Sequence, residues 1–335
     1  MRVFAAIVCA CALAALVGTV WAVEEPSTLY VMVSVAKESD PKTPYANAVV
    51  TIDLATQTAS VGDFFTTFNG TGLACGGGSA TQALVCGFTQ DPSGPGPANV
   101  GILDMTTGKV VASAQAEIMF DAGMKIPGKD NSFAATVFDD GKAQSYIHIL
   151  TFNPDGTLTQ EKTGCELDFV FDDAYAISND GKTLYNYNGG AGLYACDLAS
   201  GTSTLTQTPM INNYFHAIAS PTGDVYWVYQ DFGTNSTTAT TQIGNVETSD
   251  VTSLGSWVEP HNGFFAIAYS TDDGVYPSDP TSVLGAAYYT PMDFSTSGSI
   301  AIFSAATGKT LVSIDLNDVA PSGVSFSSGS AMVFA

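Results

Sequence analysis

Basic residues are what this chain most lacks. Ten Lys and Arg stand against 32 Asp and Glu across 335 residues, a formal charge of −22. Phosphate backbones are bound through clustered Lys and Arg, so composition argues against a nucleic-acid partner. It argues against an anionic membrane surface for the same reason. Histidine is nearly as scarce, at three, and no Cys-x-x-Cys pair accompanies it, so the common zinc frameworks are missing. There is no Gly-x-Ser-x-Gly elbow, no P-loop and no dinucleotide fingerprint. Cys75-Gly76-Gly77-Gly78-Ser79 is glycine-rich without the Lys-Ser/Thr ending of a P-loop, and reads as a strand crowded by its neighbours. Scarce Lys, Arg, Glu and Leu, set against plentiful Gly, Ser, Thr and aromatics, disfavour long amphipathic helices.

What is present begins with MRVFAAIVCACALAALVGTVWA, one Arg followed by a long apolar run ending in Val20-Trp21-Ala22. Residues 1–22 are therefore predicted to be a signal peptide, leaving 23–335 as a single secreted domain of about 313 residues. An uncleaved anchor is the alternative, and the acidic Val23-Glu24-Glu25 favours removal. No later segment is apolar for the length of a membrane span. Four cysteines remain after cleavage: Cys75, Cys86, Cys165 and Cys196. In an exported chain they read as two disulfides with three connectivities. Cys75–Cys86 with Cys165–Cys196 is favoured, because the first pair lies across one predicted hairpin. Asn69 and Asn235 head glycosylation sequons.

A repeated unit organises the rest. "DAYAISNDGKTLYNYN" from Asp173, "FHAIASPTGDVYWVYQ" from Phe215 and "FFAIAYSTDDGVY" from Phe264 each run apolar, turn at Gly and re-enter an aromatic or β-branched strand. "SGVSFSSGSAMVFA" is a fainter copy. Between and after them come hairpins: "VVTIDLATQTASVG", "VGILDMTTGKVVAS", "YIHILTFNPDGTLTQ", "GLYACDLASGTSTLTQ", "IAIFSAATGKTLVSI" and the looser "QIGNVETSDVTSLGSW". Six hairpins at about fifty residues each match the size of a four-stranded propeller blade. Such a blade has two faces to bury, so neighbours must cover them. The pattern predicts an all-β, six-bladed β-propeller, seven blades being the alternative. Ser27–Ala36 and Ser330–Ala335 are strand-like and are expected to close the ring.

The pair "AISNDGKTLY" and "LYACDLASGT" resembles the repeats of YVTN-type or amine-dehydrogenase-like β-propellers. That resemblance implies the ring and a central tunnel, and no particular activity.

Asp139-Asp140-Gly141, Asn153-Pro154-Asp155-Gly156, Asn179-Asp180-Gly181 and Asp272-Asp273-Gly274 read as hairpin turns rather than calcium loops, since none continues to a terminal Glu. A second set precedes the predicted innermost strands: Asn69, Asp121, Asp172, Asp173, Asn212, Asn213, His261, Asn262 and Asp318. Of these, Asp121, Asp172, Asp173, Asn213 and Asp318 are the candidate metal ligands, with calcium the cation their oxygens would suit. His216, His261 and Asn262 are placed at the tunnel mouth, and His148 mid-strand as a structural residue. No catalytic residue and no cofactor beyond that calcium is expected. The predicted function is a secreted, non-catalytic binding protein for an extracellular protein or glycan. The alternative is a calcium-dependent lactonase- or esterase-like hydrolase working at the mouth, an analogy of architecture only.

Overall fold

The computed structural model describes residues 27–37, 46–65, 72–74, 82–87, 90–91, 94–95, 99–116, 122–129, 131–139, 144–168, 175–178, 180–188, 192–206, 214–219, 224–231, 238–245, 251–258, 264–269, 284–289, 298–304 and 309–335. The strands in chain order begin with β1 (Thr28–Lys37), β2 (Ala46–Asp53) and β3 (Thr58–Val61). Next come β4 (Gly72–Ala74), β5 (Gln82–Gly87), β6 (Gln90–Asp91), β7 (Gly94–Pro95), β8 (Asn99–Asp104) and β9 (Lys109–Gln115). β10 (Ala122–Lys125), β11 (Ser132–Asp139), β12 (Gln144–Phe152) and β13 (Leu158–Asp168) follow. After them lie β14 (Tyr175–Ile177), β15 (Thr183–Asn188), β16 (Gly192–Asp197) and β17 (Thr202–Thr206). The last are β18 (Tyr214–Ala219), β19 (Asp224–Asp231), β20 (Thr238–Asn245), β21 (Val251–Val258), β22 (Phe264–Tyr269), β23 (Leu284–Tyr289), β24 (Ser299–Ser304), β25 (Thr310–Asp315) and β26 (Val324–Phe334).

These make six four-stranded antiparallel sheets in the manner of propeller blades, and one two-stranded sheet, β6-β7. The first sheet is ordered β26-β1-β2-β3 and the second β4-β5-β8-β9; the third to sixth take β10 to β25 four at a time in chain order. All six predicted hairpins are real, and each supplies the third and fourth strands of a sheet. Burial falls off from the third strand to the fourth in the first, second and sixth sheets. β8 and β24, third in their sheets, are buried on both faces, whereas β3, β9 and β25 alternate between exposed and half-buried. This is why β8 and β24 read as short apolar runs rather than strict alternation.

A four-stranded sheet cannot cover its own faces, and burying each large apolar side chain stabilises by about 1.5–3 kcal/mol. The sheets therefore stack. Val31, Val50, Ile52 and Phe334 of the first pack on Tyr288, Ile300 and Ile302 of the sixth. The opposite face of the first sheet, with Met32, Val49 and Val333, meets Val85 and Leu103 of the second. Leu84, Val100 and Ile102 of the second meet Phe133, Leu150 and Phe152 of the third. Ala134, Ile147 and Leu167 of the third meet Ile177, Leu184 and Tyr194 of the fourth.

The expected six-bladed propeller with a ring closed by the N- and C-terminal strands is corrected here: among the described residues no sheet is closed into a ring. β1 and β26 do pair, over nine positions from Leu29↔Phe334 to Lys37↔Val324, but as neighbours inside one open sheet whose edge strands are β26 and β3. Closing a sheet requires its first and last strands to pair, and each of these four-stranded sheets runs instead from one edge strand to another.

The third and fourth sheets are also joined covalently. Between Tyr146, opposite Glu166, and His148, opposite Lys162, three residues of β13 (Thr163 to Cys165) stand against the single Ile147. Thr163 Oγ1 donates to the Ile147 carbonyl at 3.0 Å and accepts from the Cys165 N–H at 3.2 Å. A bulge re-aims the side chains that follow it. Here it accompanies the turn of Cys165 toward β16, where it forms a disulfide with Cys196 at a Cα–Cα distance of 5.9 Å. Beside the disulfide the two backbones touch through glycine. A Cβ on Gly201 would lie 2.4 Å from Gly164 N, so neither position has room for a side chain.

Candidate functional site

The aspartates of the repeat fold into their own turns. Asp53, at the end of β2, accepts from Thr56 N–H at 2.8 Å. Asp104, at the end of β8, accepts from Thr106 N–H at 2.9 Å and from its hydroxyl at 2.7 Å. Asp155 takes the same pair of bonds from Thr157, at 3.0 and 2.6 Å. Asp197, at the end of β16, accepts from Ala199 and Ser200 N–H at 3.0 and 2.7 Å. Asp315 accepts from the backbone and side-chain amides of Asn317 at 2.9 and 2.8 Å. Asp180 accepts from the Ser178 hydroxyl at 2.7 Å and Lys182 N–H at 3.1 Å, and its second oxygen lies 2.9 Å from Lys182 Nζ. Short Asx side chains bond the backbone two residues on, which fixes such turns. Gly108, Gly156, Gly181 and Gly201 take the positive φ that follows.

These bonds favour the charged carboxylate. The Lys182 hydrogen bond, with Ser178 helping, holds Asp180 down to about 2. Asp53 and Asp197 are lowered chiefly by backbone N–H groups, of Thr56 and Ser200, and Asp155 by the Thr157 hydroxyl. Asp104 is partly desolvated, which raises it, yet its bonds to Thr106 and Thr107 bring the net shift below the usual value. The Asp155 and Asp180 turns thus have the turn chemistry read from their sequence. Asp140, Gly141 and the Asp272-Asp273-Gly274 turn lie outside the described residues.

Of the predicted metal ligands, Asp318 is described: exposed, in the turn leaving β25, with its N–H donating to the Asp315 carbonyl at 3.1 Å. It follows a fourth strand, at the end of its sheet opposite the third–fourth turn. Asp121, Asp172, Asp173 and Asn213 lie outside the described residues, as do His261, Asn262, Asn69, Asn235 and Cys75. His216 is in β18, opposite Val228. Among the described residues no group of three or more His, Cys, Asp or Glu is placed to hold a metal. Cys86 is disulfide-bonded. Among them, too, no helix is long and apolar enough to cross a membrane.

A feature that the sequence did not flag sits on the outer strands. Val111 lies between the pairs Ile102↔Ala112 and Leu103↔Val110, and Leu311 between Ile302↔Val312 and Phe303↔Thr310. Each is the extra residue of a bulge at the same place after a Thr-Gly-Lys sequence, and they are 57% and 47% exposed. Leu205 on β17 is 45% exposed. Bulges and charges are devices that keep sheet edges from pairing, and Lys109 and Lys309 stand two residues before Val111 and Leu311. The signal was the repeated Gly-Lys followed by apolar residues, which reads in sequence as ordinary strand.

No family model matches this chain, and no curated protein matches it. Among solved structures it is similar to the β-propeller domain of Cps50 (Swd1) from Myceliophteria thermophila, at 13% identity, covering 84% of this chain and 87% of that one with a TM-score of 0.45. At that score the likeness carries no argument about function.

Proposed function

We propose that this chain is an exported, non-catalytic binding protein whose ligand is an extracellular protein or glycan. The observation that carries the reading is the exposed apolar residues on outer strands of three different sheets: Val111, Leu205 and Leu311. Partner surfaces are contiguous apolar patches, and single exposed apolar residues are ordinary. What supports the reading is that Val111 and Leu311 recur at the same bulged position of two sheets. The turn aspartates support it from the other side, since the carboxylates described in the repeat are engaged in holding hairpins. The YVTN-type resemblance belongs to the same reading, supported by the Ser178–Lys182 and Asp197–Gly201 turns of its two motifs.

The test pairs binding with stability. The wild type and a Val111→Asp/Leu311→Asp variant are applied to glycan arrays and to immobilised candidate extracellular proteins. A specific wild-type ligand lost in the variant, with the melting midpoint unchanged, is expected. A midpoint that rises in millimolar calcium over EDTA and no longer rises in Asp318→Ala would overturn the proposal, because a ligand held only by the folded state raises the midpoint.

A further inference from the structure

We propose that His148 makes the joint between the second and third sheets acid-sensitive. The imidazole lies on β12 between Tyr146 and Leu150 on one face of the strand, the face whose Leu150 and Phe152 pack on the second sheet. It is 8% exposed. Directly across from it on β13 is Lys162, whose ammonium caps the Tyr146 ring at 3.1 Å from the centroid. A proton added to His148 therefore enters an apolar layer beside an existing positive charge.

Among the described residues, its direct cross-strand neighbours add no carboxylate. β11 presents Ala135 opposite His148, with Phe133 and Val137 on either side. On β13 the carboxylates flanking Lys162 in register are Glu161, opposite Ile149 and so on the other face, and Glu166, opposite Tyr146, both exposed. The second sheet answers with Leu84, Val100, Ile102 and Ala114, which do not titrate, and with Cys86, which is held in a disulfide. Its charged groups on these strands, Asp104 and Lys109, stand at the hairpin turn. Burial, and secondarily the Lys162 charge, hold the imidazole below its ordinary range.

The sign follows from linkage. The unfolded chain binds a proton near pH 6.5 and the folded one does so only at lower pH, so stability present above about 6.5 is lost as pH falls. Between pH 7.5 and 5 the unfolding constant should rise by up to about thirty-fold.

Three measurements decide it. Denaturant titrations of wild type and His148→Gln at both pH values should show the rise in the wild type and at most a few-fold change in the variant; equal responses overturn the proposal. Amide exchange, corrected for its intrinsic pH dependence, should accelerate at pH 5 in β9 and β12 first, and uniform acceleration across all sheets overturns the joint. If His148→Gln fails to fold, the wild-type imidazole signals decide, assigned by His216→Gln and His261→Gln. A His148 signal titrating at or above pH 6.5 then overturns the proposal.

Discussion

Removing the Cys165–Cys196 disulfide tests whether the third and fourth sheets need a covalent joint. The cross-link closes a loop with a sequence separation of 31. By chain-entropy arithmetic, releasing that loop in the unfolded ensemble costs the folded state about 3.7 kcal/mol. A domain of this length unfolds with an entropy of about 0.65 kcal/mol/K, so the midpoint should fall by about 6 °C. The perturbation is Cys165→Ala/Cys196→Ala, which keeps both positions apolar in the layer formed by Ile126, Ile147, Leu167 and Leu184. Calorimetry at two scan rates is the assay, because an irreversible melt would report a rate instead of an equilibrium. Both sulfurs are fully buried, so adding reductant to the folded protein should change little over the time of a scan. A double variant melting within about 1 °C of wild type would refute the reasoning. The inter-sheet layer and the Gly164–Gly201 contact would then suffice alone.

The glycines beside that joint give a graded prediction. Gly201→Ala combines a φ of +68° with a backbone contact at 2.4 Å and should cost at least about 2 kcal/mol by denaturant titration, whereas Gly156→Ala, at φ +84° with nothing within 4 Å, should cost only about 1 kcal/mol. Similar losses at both sites would mean that the sheets can separate to admit a methyl group. Acid should act on the turns in a window of its own. Their carboxylates titrate lower when folded, so the stability they supply is fully present above about pH 4 and is lost as pH falls toward about 2, where Asp180 is held. Asp180→Asn should flatten part of that loss in melts taken between pH 4 and 2, and an unchanged profile would show that the turn bonds persist with the carboxyl protonated.

The sequence revealed what is local and missed what is brought together from afar. Turns such as Asn153-Pro154-Asp155-Gly156 are legible because Asp and Gly do their work within four residues, and all six hairpins emerged from them. The bulge at Thr163–Cys165 was not legible, since Thr163 satisfies a carbonyl sixteen residues away on another strand. Gly164 and Gly201 look like ordinary strand and turn glycines until the two sheets meet. The same limit applied to the expected ring: strand-like character at both ends was read correctly, and the sheet arrangement that uses it was not. The candidate site was the least legible part, because Asx residues fill turns and ligand shells alike, and Asp318 next to Asp315 and Asn317 shows how readily a turn absorbs them.

The first sheet has a consequence for synthesis. Ser27 and Thr28 donate to the Ala335 carbonyl at 2.8 and 2.9 Å, so β1 is completed by a strand from the far end of the described residues. Until that strand is made β1 offers an unpaired edge backed by Val31, Val33 and Met32, a template for strands of other nascent chains. This sheet therefore cannot be completed before β26 is synthesised, and its exposed edge persists through the whole interval between β1 and β26.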